Sequence, residues 1–146
     1  MENDNKEAMK LENQLCFPLY AAARRVVGLY TPYLKPLGLT YTQYIVLLVL
    51  WENDGLTVGQ ICEKLMLDSG TITPLLKKLQ SEGYIEKKRS AGDDRVVIVT
   101  LTGEGRKLQE TAKDVPSKVG NCIKLSPEEA RRLYTLLYEI INGENG

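Results

Sequence analysis

Histidine is absent from this 146-residue sequence. The chain therefore lacks the usual general base, the commonest nitrogen ligand for metals, and the Ser/His and Cys/His pairs of nucleophilic catalysis. This absence argues against an ordinary hydrolase, and we expect the chain to be no enzyme and to hold no metal or cofactor.

Cysteine is also scarce, with only Cys16, Cys62 and Cys122. Three scattered cysteines are too few for a disulfide scaffold or a zinc site. A special cysteine is then more consistent with a redox or catalytic thiol, while a packed and inert thiol remains the default. Cys62 lies beside Ile61 in a helical pattern, and we expect it to belong to the core.

Long hydrophobic runs are missing as well. No apolar stretch approaches the roughly 20 residues that span a bilayer, and residues 1–5 resemble no secretory leader, so we expect a cytoplasmic location away from membranes. A hydrophobic content of 43% in this length predicts one domain over residues 1–146. The net charge of +0 argues against a basic coat for nucleic acid, although local charge decides such binding.

Residues 57–101 carry the most specific pattern. A helix over 57–65 is followed by a break at 66–70 and by a second helix that starts with small hydroxylated residues. Residues 84–89 and the run 95–100, which is β-branched after Arg95, flank a turn, and this pattern predicts two paired strands. Helix, tight turn, helix and strand pair are the parts of a helix-turn-helix with a wing, which holds a short helix in a DNA groove.

Local charge in this segment supports duplex DNA as the partner. Acidic residues dilute the basic ones, so we expect moderate binding that weakens with salt. The basic residues are Lys77, Lys78, Lys87, Lys88, Arg89 and Arg95, and the acidic ones are Glu82, Glu86, Asp93 and Asp94.

The remaining sequence is predicted to be helical. Apolar residues recur at three- and four-residue steps over residues 11–37, where Pro18 marks either a helix start or a kink. The apolar run over 44–51 predicts a buried central helix. Thr102 is a plausible N-cap for a charged helix that runs towards Pro116, and Ser126 begins a capping box for another helix. The predicted fold is therefore mainly α with a small β-wing.

Two long amphipathic helical regions at opposite ends of the chain have little use in a small monomer. We therefore expect residues 11–37 and 102–143 to form a dimerisation region, and the chain to be a symmetric homodimer.

The order of these elements resembles the multiple antibiotic resistance regulator (MarR) family of winged-helix repressors over nearly the whole chain. Three blocks are more narrowly similar to the organic hydroperoxide resistance regulators (OhrR). They are residues 11–17 (LENQLCF), 39–44 (LTYTQY) and 67–78 (LDSGTITPLLKK).

This resemblance implies how the chain binds a pseudo-palindromic operator. The second helix of the pair enters the major groove, with its lysines on the DNA backbone. Arg95 of the wing enters the minor groove and Asp93 orients it. The residues that inherit contacts from the helix are Ser69, Thr71, Thr73, Pro74, Lys77 and Lys78.

The resemblance also implies a sensor for organic hydroperoxides at Cys16. The family places two tyrosine hydroxyls near this sulfur, at the positions of Tyr30 and Tyr41, with Tyr30 reaching across from the partner subunit. Tyr20, on the same helical stripe as Cys16, completes the expected pocket. Some members of the group trap the oxidised cysteine with a second cysteine of the other subunit, and others are capped by small thiols. Cys122 lies in the right region for the first, after a shift of the terminal helices that releases the operator.

Two alternatives remain open. In the first, the same fold is released by a phenolic or other small apolar ligand, and Cys16 is a bystander. In the second, Cys16 and Cys122 serve a thiol peroxidase, which would leave the helix-turn-helix and wing without a purpose.

Overall fold

A computed structural model describes residues 2–143 and confirms a mainly helical fold with a small β-wing. The ends of the predicted 1–146 domain, residue 1 and residues 144–146, lie outside the described residues. The α-helices are α1 (Glu2–Ala8), α2 (Cys16–Leu34), α3 (Tyr41–Glu52), α4 (Val58–Leu65), α5 (Ser69–Ser81), α6 (Gly103–Ala112), α7 (Val115–Cys122) and α8 (Pro127–Asn142). The strands are β1 (Leu56–Thr57), β2 (Ile85–Arg89) and β3 (Val97–Leu101).

The central helix is α3, as the apolar run predicts. Tyr44, Val46, Leu47 and Leu50 are buried to 2% exposure or less. Each buried side chain of this size stabilises the fold by about 1.5–3 kcal/mol. Thr40 begins the helix with a capping box to Gln43, so the start of α3 has partners for its backbone N–H groups.

Helices α4 and α5 form the predicted helix-turn-helix. Thr57 caps α4 in a second capping box, and Met66 ends that helix in the left-handed region with φ of 57°. Asp68 then caps α5 by accepting a hydrogen bond from the Thr71 N–H at 2.8 Å. Ile61 of α4 and Ile72 of α5 are fully buried, which fixes the two helices on the core.

The wing is an antiparallel pair of strands with Ile85 opposite Leu101 and Arg89 opposite Val97. The two-residue strand β1 adds a third strand on the other side of β3, which the sequence did not predict. Gly105 packs α6 against the base of the wing so closely that a Cβ there would collide with the Tyr84 carbonyl.

The terminal regions decide one open alternative and correct one helix boundary. For residues 11–37 the structure excludes one kinked helix, because Leu11–Asn13 forms a short 3₁₀ turn and α2 begins at Cys16, which makes Pro18 its third residue. Pro18 therefore marks a helix start, where its missing N–H costs no hydrogen bond. The charged helix ends at Ala112, and Pro116 lies near the start of the unpredicted helix α7 instead of ending a helix. The capping box of Ser126 begins α8 as predicted.

The terminal helices leave apolar side chains uncovered in the single chain. Only Leu34 is buried in α2, and no residue of α8 is buried. None of the helices within residues 2–143 has both the length and the apolar character needed to span a membrane. The exposed large apolar residues include Leu15, Phe17, Leu19, Tyr20 and Val27 near the N-terminus and Leu133, Tyr134, Leu136, Tyr138, Ile140 and Ile141 in α8.

Candidate nucleic-acid interface and thiol site

Helix α5 presents one polar face to solvent. The apolar residues Ile72, Leu76 and Leu79 hold the helix on the core, which turns the opposite face outward. This face is rich in hydroxyl groups near its start and in ammonium groups further along, so it can address both base edges and phosphates. The predicted contact residues all lie exposed on it: Ser69, Thr71, Thr73, Pro74, Lys77 and Lys78.

The start of α5 carries a fixed negative charge. Hydrogen bonds to Thr71 hold the pKa of the Asp68 carboxyl below its ordinary value. The carboxylate therefore stays ionised at neutral pH and stabilises the helix N-terminus through the helix dipole. Asp68 fixes where the exposed hydroxyl groups begin.

The wing tip presents an oriented guanidinium. Arg95 Nε lies 3.2 Å from Asp93 Oδ1 and its NH2 group 3.3 Å from Oδ2, while the Arg95 side chain is 90% exposed. This pairing with Arg95 lowers the pKa of Asp93. Arg89 closes the tip by donating to the Asp94 carbonyl at 2.7 Å. Arg95 thus points outward, as predicted, and its guanidinium is held by Asp93.

A concave surface lies between helix α5 and the wing. Thr57 and Gly59 at the start of α4, Thr73 of α5, and Lys87 and Arg95 of the wing line it. Cations on both sides of a concavity favour a polyanion that contacts helix and wing together. Lys87 is one of the basic residues whose charge favours DNA, whereas nothing in the sequence had predicted a DNA contact for Thr57.

Cys16 is the first residue of α2 and is exposed. Its helix has no side-chain cap at Leu15. The sulfur therefore lies at the positive end of the dipole of a 19-residue helix. Tyr20 lies one turn further on, with Arg24 stacked 5.5 Å from its ring centroid.

Tyr30 and Tyr41 form a separate cluster with Tyr44. The Tyr30 and Tyr41 ring centroids are 4.8 Å apart, at a pocket that Val27 and Leu39 also line. Burial, and then the neighbouring Tyr41, raises the pKa of Tyr30, so its hydroxyl keeps its proton as a donor.

One chain does not bring this pocket to Cys16. Fourteen residues of helix separate Cys16 from Tyr30, which is about 21 Å along the axis of α2. Within one chain the sulfur therefore has Tyr20 near it, but not the other two tyrosines of the predicted pocket.

Cys122 ends α7 and lies against α2. Its Sγ donates to the Lys118 carbonyl at 3.4 Å and lies 3.9 Å from Tyr33 Oη. Tyr33 follows Cys16 by about 25 Å of helix, so even the full reach of a tyrosine leaves the two cysteines of one chain beyond disulfide distance. Tyr33 was missed because nothing in the sequence predicted that α7 packs there.

Cys62 is partly buried and packs against the core, as expected from its place in α4. Within residues 2–143, no cluster of three or more acidic or cysteine side chains is arranged to hold a metal ion.

Residues 28–111 match the family model described as Transcriptional regulator SarA/Rot. The chain is 46% identical over 139 residues to the organic hydroperoxide resistance transcriptional regulator of Bacillus subtilis, covering 94% of this chain and 95% of the relative. Solved structures of AbfR, a Staphylococcus epidermidis protein, are similar to this chain, and two of them represent different redox states. Its reduced form bound to DNA has 36% identity and a TM-score of 0.77, covering 96% of this chain and 97% of AbfR. Its disulfide form has 38% identity and a TM-score of 0.65, with coverage of 97% and 99%.

Proposed function

Because the chain belongs to the organic hydroperoxide resistance regulators of the MarR family of winged-helix transcriptional regulators, we propose that organic hydroperoxides release it from DNA by oxidising Cys16. In the reduced state it represses transcription by binding a pseudo-palindromic operator as a homodimer. Its place of action is the cytoplasm, where reducing conditions keep the thiol free until the oxidant arrives.

The DNA-bound state rests on the outward faces of α5 and the wing. Thr71 and Thr73 offer short hydroxyl groups to base edges, Lys77 and Lys78 contact phosphates, and Arg95 enters the adjacent minor groove. AbfR, at 36% identity, has been solved bound to DNA in its reduced form, which supports the same mode here.

The homodimer rests on the uncovered faces of α2 and α8. A folded chain rarely leaves a continuous apolar face on a long helix in water, and α8 has no buried residue in the single chain. A symmetric dimer covers both faces and sets two recognition helices about 34 Å apart, one turn of DNA.

The observation that carries the sensing mechanism is the separation of Cys16 from the Tyr30 and Tyr41 pocket. Because about 21 Å of helix divides them within a chain, the sensor is complete only where Cys16 enters the pocket of the partner subunit. The hydroxyl groups of Tyr30 and Tyr41 there donate to the sulfur, while Val27, Leu34 and Leu39 accept an alkyl tail. An alkyl hydroperoxide fits this combination of donors and apolar wall.

The first chemical step oxidises the Cys16 sulfur to a sulfenic acid. The Cys16 thiolate attacks the terminal oxygen of the hydroperoxide, the S–O bond forms as the O–O bond breaks, and the alkoxide leaves as an alcohol after taking a proton. Cys122 of the partner then traps the sulfenic acid as an intersubunit disulfide, because the two cysteines of one chain lie too far apart. The bridge moves the terminal helices and spoils the spacing of the recognition helices.

Gel-shift titration of the promoter fragment of the adjoining gene tests this function. We expect cumene hydroperoxide to release the wild type and the matched variant Cys62→Ser, and to leave Cys16→Ser bound. Peroxide release of Cys16→Ser to the wild-type extent would reject Cys16 as the sensor. Release of both forms by a phenol without peroxide would favour a ligand-responsive repressor.

A further inference from the structure

Cys122 is held at a defined place on the surface of α2 although its sulfur is exposed. Helix α7 packs through the buried residues Val115 and Val119, which stand seven and three residues before Cys122. The thiol donates to the Lys118 carbonyl, and the Tyr33 hydroxyl lies 3.9 Å from the sulfur. Two elements that are 89 residues apart in the chain therefore meet at this sulfur.

The polarity of the contact follows from these partners. Because the thiol proton is directed at the Lys118 carbonyl, the Tyr33 hydroxyl is the donor to the sulfur. The hydrogen bond with Cys122, followed by the charge of that thiol when it ionises, raises the pKa of Tyr33. Tyr33 therefore keeps its proton at neutral pH. Lys118 Nζ lies 5.8 Å from the Tyr33 ring centroid and steadies the ring from the α7 side.

Tyr33 also lies next to the pocket that the proposed function assigns to the partner's sulfur. It follows Tyr30 by three residues on α2, and residues at this spacing are neighbours on a helix surface. The contact thus holds Cys122 against a tyrosine that lies about one helical turn along α2 from Tyr30.

We propose that Tyr33 is a positioning residue for disulfide formation, which holds Cys122 beside the sensor pocket and donates to its sulfur as that sulfur attacks the sulfenic acid of the partner. This inference rests on the proposed function. In the step, the S–S bond forms and the S–O bond of the sulfenic acid breaks. The Cys122 thiol proton leaves with the hydroxyl as water, and no further oxidant is consumed.

The test separates the two chemical steps in the full-length protein. After one equivalent of cumene hydroperoxide is added, the sulfenic acid at Cys16 is trapped with dimedone, and the adduct is quantified by mass spectrometry. The covalent dimer is followed in parallel on non-reducing gels. We expect Tyr33→Phe to form the sulfenic acid at the wild-type rate and the covalent dimer about tenfold more slowly, as loss of the one hydrogen bond that positions Cys122 and stabilises its attacking thiolate predicts.

A second readout is the fate of the untrapped sulfenic acid. With excess peroxide, Tyr33→Phe should accumulate more sulfinic acid at Cys16 than the wild type, because slow bridging leaves the sulfenic acid open to a second oxidation. Tyr84→Phe, which removes a hydroxyl at the base of the wing, is the matched control and should behave as the wild type.

The outcomes distinguish this inference from its premise. Cross-linking of Tyr33→Phe at the wild-type rate overturns the role of Tyr33 and leaves Cys122 as the resolving cysteine, provided that Cys122→Ser forms no covalent dimer. A wild type that leaves DNA without forming any covalent dimer overturns both roles, while sensing by Cys16 stands.

Discussion

The DNA-reading segment from β1 to β3 and the helices α2 and α8 differ in how complete they are within one chain. In the reading segment, Ile61, Ile72, Ile85 and Val99 are buried to 1% exposure or less. Helix α8 buries none of its residues, and the first half of α2 carries Cys16 on an open apolar surface. A single chain thus completes the core of the DNA-reading segment, whereas α2 and α8 leave apolar surface that a second copy covers in the proposed homodimer.

Local helix signals do not cause this difference. Both α4 and α8 begin with a full capping box, from Thr57 to Gln60 and from Ser126 to Glu129. A cap contributes about 1 kcal/mol to either helix. What distinguishes α8 is that the described part of the chain buries none of its residues, so completeness is decided by packing.

The largest expected effect tests whether α8 needs a partner. Leu136 is 53% exposed in the single chain, so Leu136→Arg should change the stability of a monomer by less than about 0.5 kcal/mol. At a dimer interface, the same change buries an unpaired charge and should weaken assembly by at least about 100-fold. Sedimentation at micromolar concentration measures this loss.

Thr135→Arg is the matched control, because Thr135 lies on the polar side of the same helix and its hydroxyl donates only to the Arg131 carbonyl of that helix. It should remain dimeric. Should Leu136→Arg also sediment as the wild type does, the comparison fails, and α8 is complete without a partner.

A smaller effect is expected in the reading segment. Arg95→Ala should weaken operator binding by about tenfold and lower the salt slope by about one, because it removes one cation from the groove. Its side chain is 90% exposed, so the thermal midpoint should not change. Fluorescence anisotropy at several salt concentrations gives both quantities.

The control for Arg95 is Lys107→Ala, which also removes an exposed cation paired with a nearby carboxylate, here Glu104. It should leave DNA affinity unchanged. Equal losses for the two variants would mean that general charge, and not the wing, accounts for the effect.

The smallest effect concerns pH. Hydrogen bonds to Ser126, from the backbone first, lower the pKa of Glu129. A carboxyl with a depressed folded pKa adds stability that is present above its unfolded value, about 4.3, and is lost as pH falls through the folded value. The wild type should therefore lose more stability below pH 4 than Glu129→Gln does.

Urea unfolding at pH 6 and at pH 3.5 measures this difference. The capping boxes that begin at Thr40 and Thr57 use glutamine in place of glutamate, so their contribution to stability does not change as the pH falls. Identical pH profiles of the two proteins would show that the α8 cap does not titrate in this range.

The sequence predicted the elements whose signals are local. The apolar run over 44–51 marked α3, the capping box of Ser126 marked α8, and the hydroxylated start of α5 marked the exposed face of the recognition helix. Each signal depends on residues within two turns of one another, so no tertiary knowledge is needed to recognise it.

The sequence did not predict the contacts between distant segments of the chain. Pro116 suggests the end of one helix but starts the next, because proline is tolerated in a first turn. With α7 unpredicted, no local pattern pointed to the meeting of Cys122 with Tyr33. Strand β1 has only two residues, too few for an alternating pattern, and is held by β3 alone. The resemblance alone predicted that Cys16 and Tyr30 share a pocket, and within one chain the length of α2 keeps them apart.

In the proposed homodimer, the open apolar surface of α8 makes the folded fraction of the protein depend on its concentration. When a second copy covers that surface, binding favours the folded state by mass action, so the folded fraction rises with the number of chains in the cell. A newly made chain at low concentration is then the form most open to proteases. The proposed pairing would thus protect a chain from proteolysis only above the concentration at which the dimer forms.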